Sequence, residues 1–378
     1  MATVGDAVIP RVREPDPHPG PGLVPDRRDP QARDLRSRRP LPGPAAEAVV
    51  APPVARRPAG RPGLRLQPAP AREMVLAQPR GFCAGVARAI EIVERALAIH
   101  GAPVYVFHEI VHNGHVVAEL AARGAVFVDD LALVPAGAIT VFSAHGVANA
   151  VVAEAARRRL RVIDATCPLV SKVHQQVQRY ARAGRHVVLI GHAEHEEVVG
   201  TAGSVDVPVH VVGTAAEVER LPAWSGEPVA YVTQTTLSVD DTRGIIAALE
   251  RRYPGIAGPA LDDICYATSN RQRAVAELAR EVDVVLVVGA RNSSNSNRLR
   301  EVAEQHGVPA YLIADAGAIE PAWVDGAVRV GVTAGASAPE VLVHGVRQRL
   351  AALGIDRVSE LDGPAENVRF RLPSLHPA

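Results

Sequence analysis

The stretch LRVIDATCP, residues 160–168, contains the pattern on which this chain is built. The apolar residues up to Ile163 predict a short strand, because residues typical of a turn follow within a few positions. The turn ends at Cys167, and Pro168 suits the first turn of a helix, where the missing N–H of proline costs nothing. We therefore predict a strand that passes through a short polar turn directly into a helix.

The same order of apolar strand, polar turn and amphipathic helix recurs from Met74 onward. Strands that alternate with helices are typical of parallel sheets, and ligands of such sheets bind beyond the carboxyl ends of the strands. The sequence therefore predicts an α/β protein of several small, mostly parallel units, with its site residues in the turns. The predicted strands are residues 75–78, 104–107, 139–142, 160–164, 187–190, 229–232, 284–288 and 328–332.

The composition is that of an ordinary globular chain, and it excludes several classes of protein. Hydrophobic residues make up 47% and charged residues 22% of the 378 positions, and 41 basic side chains balance 41 acidic ones. Zero net charge and only 3% aromatic residues argue against a nucleic-acid partner or an anionic membrane surface. No apolar run is long enough to span a bilayer, and no secretory signal is recognisable. Three widely spaced cysteines fit a reducing, cytoplasmic location.

The first 73 residues differ from the rest of the chain, since they contain 16 of the 31 prolines. We expect residues 1–73 to be a disordered Pro/Arg-rich extension, because such a segment buries too little apolar surface to offset its conformational entropy. The only methionines are Met1 and Met74, and the globular pattern begins at Met74. We therefore expect either that Met74 is the physiological start or that residues 1–73 are dispensable.

Each of the three cysteines, Cys83, Cys167 and Cys265, stands where a predicted strand gives way to a helix. A helix N-terminus favours thiolate over thiol, and thiolate is the form that binds soft metals. One such cysteine would usually only pack in the core. Three at equivalent junctions indicate one ligand from each of three units, and their wide spacing matches no zinc finger or ferredoxin run. Three thiolates on a four-iron cluster would leave one iron without a protein ligand.

Histidines, serines and asparagines occupy further turns of the same kind. The histidines of these turns could bind a metal or hold an anion, and Ser and Asn at helix starts offer donors to phosphate oxygens. Ser337 could instead cap a helix together with Glu340. Glu197, with Thr235 or Thr236, is a candidate for proton transfer. These residues predict a thiolate metal centre beside a phosphate pocket.

The ordered set of motifs resembles the 4-hydroxy-3-methylbut-2-enyl diphosphate reductase family, which catalyses the last step of the methylerythritol phosphate route to isoprenoid precursors. The resemblance extends over about residues 74–372, and a scattered, ordered set of this kind is far more specific than any single motif. The matching stretches are residues 79–86, 108–113, 143–147, 164–170, 233–241, 262–268, 292–298 and 332–339.

The resemblance implies three α/β units arranged as a pseudo-threefold trefoil around a central, oxygen-sensitive [4Fe–4S] cluster. We expect the units at residues 74–165, 166–262 and 263–365, with a tail at 366–378 and with the first strand joining either its own unit or the third. The implied reaction is a two-electron reductive dehydroxylation to isopentenyl and dimethylallyl diphosphate, with a ferredoxin or flavodoxin as electron donor. The substrate hydroxyl would bind the open fourth iron.

The resemblance also implies roles for individual residues. Cys83, Cys167 and Cys265 would be the cluster ligands, Glu197 the proton donor, and Thr235 a hydrogen-bonding partner of the substrate hydroxyl. The implied substrate-binding residues are His112, His145, His195, Thr268, Ser293, Ser294, Asn295 and Ser337.

Two positions depart from the family pattern. The family usually has proline where this chain has Glu196, and glutamate where it has Val199. Because an inward-facing Glu196 would repel a diphosphate, we expect Glu196 to face outward.

Two other functions remain as alternatives. A zinc-dependent phosphohydrolase would contain zinc alone, whereas the reductase would contain iron and acid-labile sulfide. A sensor that binds a phosphorylated metabolite would need neither the three cysteines nor Glu197 and Thr235.

Overall fold

The computed structural model describes residues 71–259 and 263–376. Most of the expected extension, residues 1–70, therefore lies outside the described residues. At its end, Arg72 donates from Nε to the carbonyl of Ala327 at 2.7 Å, and the Glu73 amide donates to the carbonyl of Val328 at 2.8 Å. These two residues belong to the fold, although we expected the extension to include them.

Three parallel sheets make up the strands of the described residues, as the alternating pattern predicts. Their strand orders are β10-β9-β11-β1-β12, β3-β2-β4-β5 and β7-β6-β8. The strands are β1 (Glu73–Leu76), β2 (Val104–Phe107), β3 (Ala125–Val128), β4 (Ile139–Phe142), β5 (Arg161–Asp164), β6 (His186–Ile190), β7 (Val209–Val212), β8 (Val229–Thr233), β9 (Val284–Val288), β10 (Ala310–Ile313), β11 (Arg329–Ala334) and β12 (Arg357–Glu360). The helices are α1 (Ala84–His100), α2 (Gly114–Ala122), α3 (Asn149–Arg157), α4 (Pro168–Arg182), α5 (Glu196–Ala202), α6 (Ala215–Val218), α7 (Val239–Arg252), α8 (Tyr266–Leu278), α9 (Ser294–Gln305) and α10 (Glu340–Ala352).

The first strand lies in the sheet of the last segment. Met74 of β1 pairs in parallel with Val330 of β11 on one side and with Val358 of β12 on the other. Its side chain is fully buried in the core of that sheet. The sheet therefore joins residues from the two ends of the described chain.

Each sheet is buried on both faces. In β9, Val284, Leu286 and Val288 pack in one apolar cluster, whereas Val285 and Val287 pack in another. Strands covered on both faces are continuous apolar runs, because neither face contacts water. This is why the central strands stand out in the sequence.

The cysteines begin three of the helices, as predicted. Cys83, Cys167 and Cys265 are the N-cap residues of α1, α4 and α8, and Pro168 occupies the first turn of α4. All three sulfurs are therefore displayed where a helix starts.

After β12, the described chain runs to residue 376 without a further strand or helix and packs back on the first half of the chain. Leu372 and Leu375 contact the apolar cluster beneath α1, and His100 contacts the carbonyl of Leu375 through Nε2 at 2.7 Å. Within residues 71–259 and 263–376, no helix has both the length and the hydropathy needed to cross a bilayer.

Candidate active site

One cavity of about 690 Å³, its open mouth included, collects the turns that the sequence singled out. Most of the turns follow the carboxyl ends of strands in different sheets, whereas Cys265 and Thr268 come from the start of α8, which no described strand directly precedes. Every candidate residue of the sequence analysis lines this cavity: Cys83, His112, His145, Cys167, His195, Glu197, Thr235, Cys265, Thr268, Ser293, Ser294, Asn295 and Ser337.

Gly85 leaves the space in which two of the sulfurs meet. A β-carbon at this position would lie 2.7 Å from Sγ of Cys167 and 3.8 Å from Sγ of Cys83. Contact at 2.7 Å is shorter than real β-carbons make, so only glycine fits here without displacing the Cys167 sulfur. Cys265 reaches the same cavity from α8. Three unpaired cysteine sulfurs beside a glycine cradle fit the donor set of an iron–sulfur centre.

The helix N-termini do not lower the pKa values of Cys167 and Cys265, contrary to the sequence-based expectation. Burial raises the pKa of Cys167 to about 11 and that of Cys265 to about 12, and the neighbouring thiols raise both pKa values further. Backbone N–H groups of Leu169, Val170 and Thr268 oppose this shift but do not outweigh it. A bound metal cation would reverse the balance, because a coordinating thiol is deprotonated outright.

Thr235 fixes the carboxyl group of Glu197. The Thr235 amide donates to Oε1 at 2.7 Å, and its hydroxyl donates to Oε2 at 2.9 Å. Thr236 makes neither contact, since its hydroxyl accepts from Gln234 and its carbonyl accepts from Ser294. Of the two threonines left open by the sequence, Thr235 is therefore the partner of Glu197.

The environment of Glu197 favours its protonated form. The side chain is 2% exposed, and burial raises its pKa more than the two hydrogen bonds from Thr235 lower it. A carboxyl group whose pKa is raised in a cavity can hold a proton near neutral pH and deliver it to a ligand.

Three histidines form a cluster above the acid. The rings of His112 and His145 stack with centroids 4.1 Å apart, and His195 meets both edge-on. His195 accepts a hydrogen bond at Nδ1 from the amide of Glu197, so its proton resides on Nε2. Burial and the other two histidines lower the pKa of His195 to about 3. This ring is therefore a neutral donor across the physiological range.

Ser337 supports the histidine cluster and does not cap a helix. Its hydroxyl donates to the carbonyl of His112 at 2.9 Å, and α10 begins only after Pro339. Glu340 pairs instead with Arg80 at 2.7 Å. The capping box that the sequence offered as an alternative does not form, because a long-range contact takes the serine hydroxyl.

The polar side chains in the turn before α9 differ in whether they already have hydrogen-bond partners. Ser293 caps the helix by accepting from the amide of Ser296, and Ser294 donates to the carbonyl of Thr236. Both polar atoms of the Asn295 amide are buried and have no partner among the described residues. An unsatisfied buried amide costs about 1–3 kcal/mol, so Asn295 is placed for a ligand at the expense of stability.

Glu196 faces the histidine cluster, and the expectation that it faces outward is wrong. Its Oε2 atom lies 2.8 Å from Nδ1 of His145, and its side chain is 27% exposed. The other departure from the family pattern, Val199, is 54% exposed. The contact with His145 accounts for the inward turn, and against the opposing effect of burial it lowers the pKa of Glu196.

The sequence did not reveal a second layer of polar contacts behind His112. Asn292 donates to Oε2 of Glu109 at 2.9 Å and lies 3.3 Å from Nδ1 of His112, which Glu109 itself contacts at 3.2 Å. The spacing of Glu109 and His112, three residues apart in one turn, is the only local signal of this contact. Asn292 joins from another sheet and has no such signal.

The fold and the cavity define an α/β protein in which three cysteines, a buried acid and three imidazoles share one site. The chain belongs to the LytB protein family, whose model matches residues 74–351. It is an enzyme of this family, and its relatives bear the name 4-hydroxy-3-methylbut-2-enyl diphosphate reductase. The relative from Zymomonas mobilis is 59% identical over 301 residues, 80% of this chain and 88% of that protein. The relative numbered 2 from Bradyrhizobium diazoefficiens is 60% identical and covers 80% of this chain and 98% of its own.

Solved structures of the same family share the fold. The E-1-hydroxy-2-methyl-but-2-enyl-4-diphosphate reductase of Plasmodium falciparum superposes with a TM-score of 0.77 at 37% identity, over 80% of this chain and 96% of that chain. A second structure, described as the reductase that ends the non-mevalonate pathway, gives a TM-score of 0.55 at 32% identity, over 74% and 99%.

Proposed function

We propose that this chain reduces (E)-4-hydroxy-3-methylbut-2-enyl diphosphate to isopentenyl diphosphate and dimethylallyl diphosphate. The observation that supports this most directly is the meeting of Cys83, Cys167 and Cys265 in the cavity that contains Glu197. The names of the relatives supply the substrate.

Cys83, Cys167 and Cys265 would hold a [4Fe–4S] cluster through their sulfurs. When bound, the cluster would supply two electrons one at a time and an iron without a protein ligand to polarise the C4–O bond. The small volume around Gly85 and the raised thiol pKa values support a site that needs a metal to stabilise its thiolates. A one-electron carrier of the ferredoxin or flavodoxin type would deliver the electrons in a cytoplasmic setting.

Glu197 would give its proton to the hydroxyl oxygen as the C4–O bond breaks, so that the oxygen leaves as water. Thr235 holds the carboxyl group in one orientation and lies within reach of the same hydroxyl. Two electrons and two protons enter in each turnover. The second proton goes to either end of the allylic system, which accounts for two products, and we assign its delivery to the diphosphate of the substrate.

The diphosphate would occupy the end of the cavity between the histidine cluster and the turn before α9. His195 offers Nε2–H, and Asn295 offers an amide that no described residue satisfies. Hydrogen bonds from neutral donors to an anion are stronger than bonds between neutral groups, so several convergent donors can bind the diphosphate without a lysine. Exclusion of water would strengthen each of them.

The test is anaerobic purification and cluster reconstitution, followed by reduction of the substrate with a low-potential viologen and product analysis. We expect iron and acid-labile sulfide, and both diphosphate products. Fully loaded protein that forms neither product would overturn the proposal. Zinc without sulfide, together with release of phosphate, would establish the phosphohydrolase alternative instead.

A further inference from the structure

Glu196 brings a negative charge to the imidazole pair of this chain. Its Oε2 atom lies 2.8 Å from Nδ1 of His145, and His145 stacks on His112. One nitrogen of each ring and one carboxylate oxygen all lie within 4.8 Å of one another. The three side chains come from the turns after β2 and β4 and from the first residue of α5, so no local sequence pattern reveals the trio.

We propose that His112, His145 and Glu196 bind one divalent cation of the zinc class. The cation would lie at the histidine end of the cavity, away from the cysteine sulfurs that the cluster requires.

The donor set decides the class of cation. Zinc takes imidazole nitrogen and carboxylate oxygen at about 2.0–2.2 Å, and three protein ligands leave its fourth position for water or an anion oxygen. Magnesium and calcium prefer sets made entirely of oxygen, so two imidazoles disfavour them. Burial lowers the pKa of His112, which leaves its ring neutral and able to act as a ligand near neutral pH.

For Glu196 and His145 the geometry requires only a small adjustment. Two ligands about 2.1 Å from a tetrahedral metal are about 3.4 Å apart, so Glu196 and His145 would separate by about half an ångström. Glu196 is the first residue of α5 and is 27% exposed, so its side chain can rotate by this amount without disturbing the core.

The negative charge of Glu196 beside His112 and His145 also favours a cation at this position. Burial would raise the pKa of Glu196, but the contact between its Oε2 atom and Nδ1 of His145, 2.8 Å apart, and the neighbouring imidazoles lower it, so the carboxylate presents a negative charge to the two rings. A carboxylate beside two imidazole nitrogens attracts a cation, and a cation bound by all three side chains would neutralise its charge. The same carboxylate would otherwise repel an anionic ligand in this cavity.

The test is calorimetric titration of the anaerobic, cluster-loaded protein with zinc chloride, while the cluster absorption is recorded. We expect one zinc site with the absorption retained. The variant Glu196→Gln should weaken binding about tenfold or more, since even outer-shell partners of a metal contribute ten- to a hundredfold. The matched control is Glu194→Gln, which removes an exposed carboxylate from the same turn and should leave the affinity unchanged.

Zinc K-edge absorption then identifies the ligands independently of any variant. A first shell of nitrogen and oxygen near 2.0 Å supports the proposal, whereas sulfur near 2.3 Å places the zinc at the cysteines and overturns it. Absence of binding, or equal affinity in Glu196→Gln, also overturns it. Zinc binding needs no turnover, so its failure leaves the proposed reductase intact, and an inactive protein can still show the zinc site.

Discussion

Thr235 binds both carboxyl oxygens of Glu197, one through its amide at 2.7 Å and the other through its hydroxyl at 2.9 Å. The carboxyl group cannot rotate without breaking both bonds, so the cavity contains an acid of fixed direction. Burial raises the pKa of this acid, and the two bonds restrain the rise. One threonine therefore sets both the orientation and the proton affinity of Glu197.

Glu197→Gln should lower turnover by about 10²- to 10⁴-fold, the usual contribution of a positioned general acid. The glutamine keeps the shape of the side chain but has no proton to give at the pH of the assay. Cluster absorption and substrate binding should persist, which steady-state kinetics and equilibrium titration can measure. A rate close to that of the parent chain would remove Glu197 from the proposed role.

Thr235→Val should move the basic limb of the kcat profile to higher pH. Turnover needs protonated Glu197, so kcat falls as the pH rises through the pKa of this group. The Thr235 hydroxyl stabilises the ionised form and lowers that pKa, so its loss raises the pKa. Thr235→Ser keeps a hydroxyl and should restore the original limb. A shift of the limb to lower pH in Thr235→Val would contradict this assignment.

Gly85→Ala should reduce the iron and sulfide content of the reconstituted protein. The added methyl group would lie 2.7 Å from Sγ of Cys167 and force that sulfur away from the other two. The control is Gly114→Ala at the start of α2, where an added β-carbon meets nothing within 4 Å. Full cluster occupancy in Gly85→Ala would show that the Cys167 sulfur is not needed where the structure has it.

Asn295→Ala should weaken substrate binding without lowering the melting temperature. Its amide is buried without partners, so its removal relieves a desolvation cost of about 1–3 kcal/mol while creating a small cavity. A hydrogen bond to a charged group is worth about 1.5–3 kcal/mol, so KM should rise about tenfold or more. Calorimetry and kinetics together check this, and an unchanged KM would exclude Asn295 from the diphosphate site.

His195→Asn should make the protein less sensitive to acid. The folded chain keeps His195 neutral down to a pKa of about 3, whereas the unfolded chain protonates it near 6.5. Between these pH values the unfolded state binds the extra proton, so the free energy of unfolding falls as the pH falls. Asparagine preserves an N-cap acceptor for the Glu197 amide. The drop in melting temperature from pH 7.5 to pH 5 should therefore be smaller than in the parent chain, and an equal drop would contradict this.

The sequence predicts the central strands well and the outer strands poorly. All eight strands expected from apolar runs are present, and the four that were missed, β3, β7, β10 and β12, are each at the edge of a sheet. An edge strand has one neighbour and is partly exposed, as Val126 of β3 is at 38%. The apolar signal of these four strands is therefore weaker, whereas β5 and β8, which are also at sheet edges, were predicted.

In the site, too, features with a local cause could be predicted, whereas features that depend on distant contacts could not. Helix starts are local, so the positions of Cys83, Cys167 and Cys265 at helix N-termini could be predicted, but the strand expected directly before Cys265 is not among the described residues. The inward turn of Glu196 and the bond from Ser337 to His112 depend on contacts between distant segments. The raised pKa values of Cys167 and Cys265 depend on burial by the whole fold, which outweighs the local effect of the helix N-terminus.

The position of β1 between β11 and β12 has a consequence for synthesis on the ribosome. Residues 73–76 are translated long before their partners at 357–360. Until β12 has been translated, the nascent chain therefore contains an apolar strand that lacks a pairing partner. Such a strand can aggregate or bind chaperones. The sheet can be completed only after β12 has been translated.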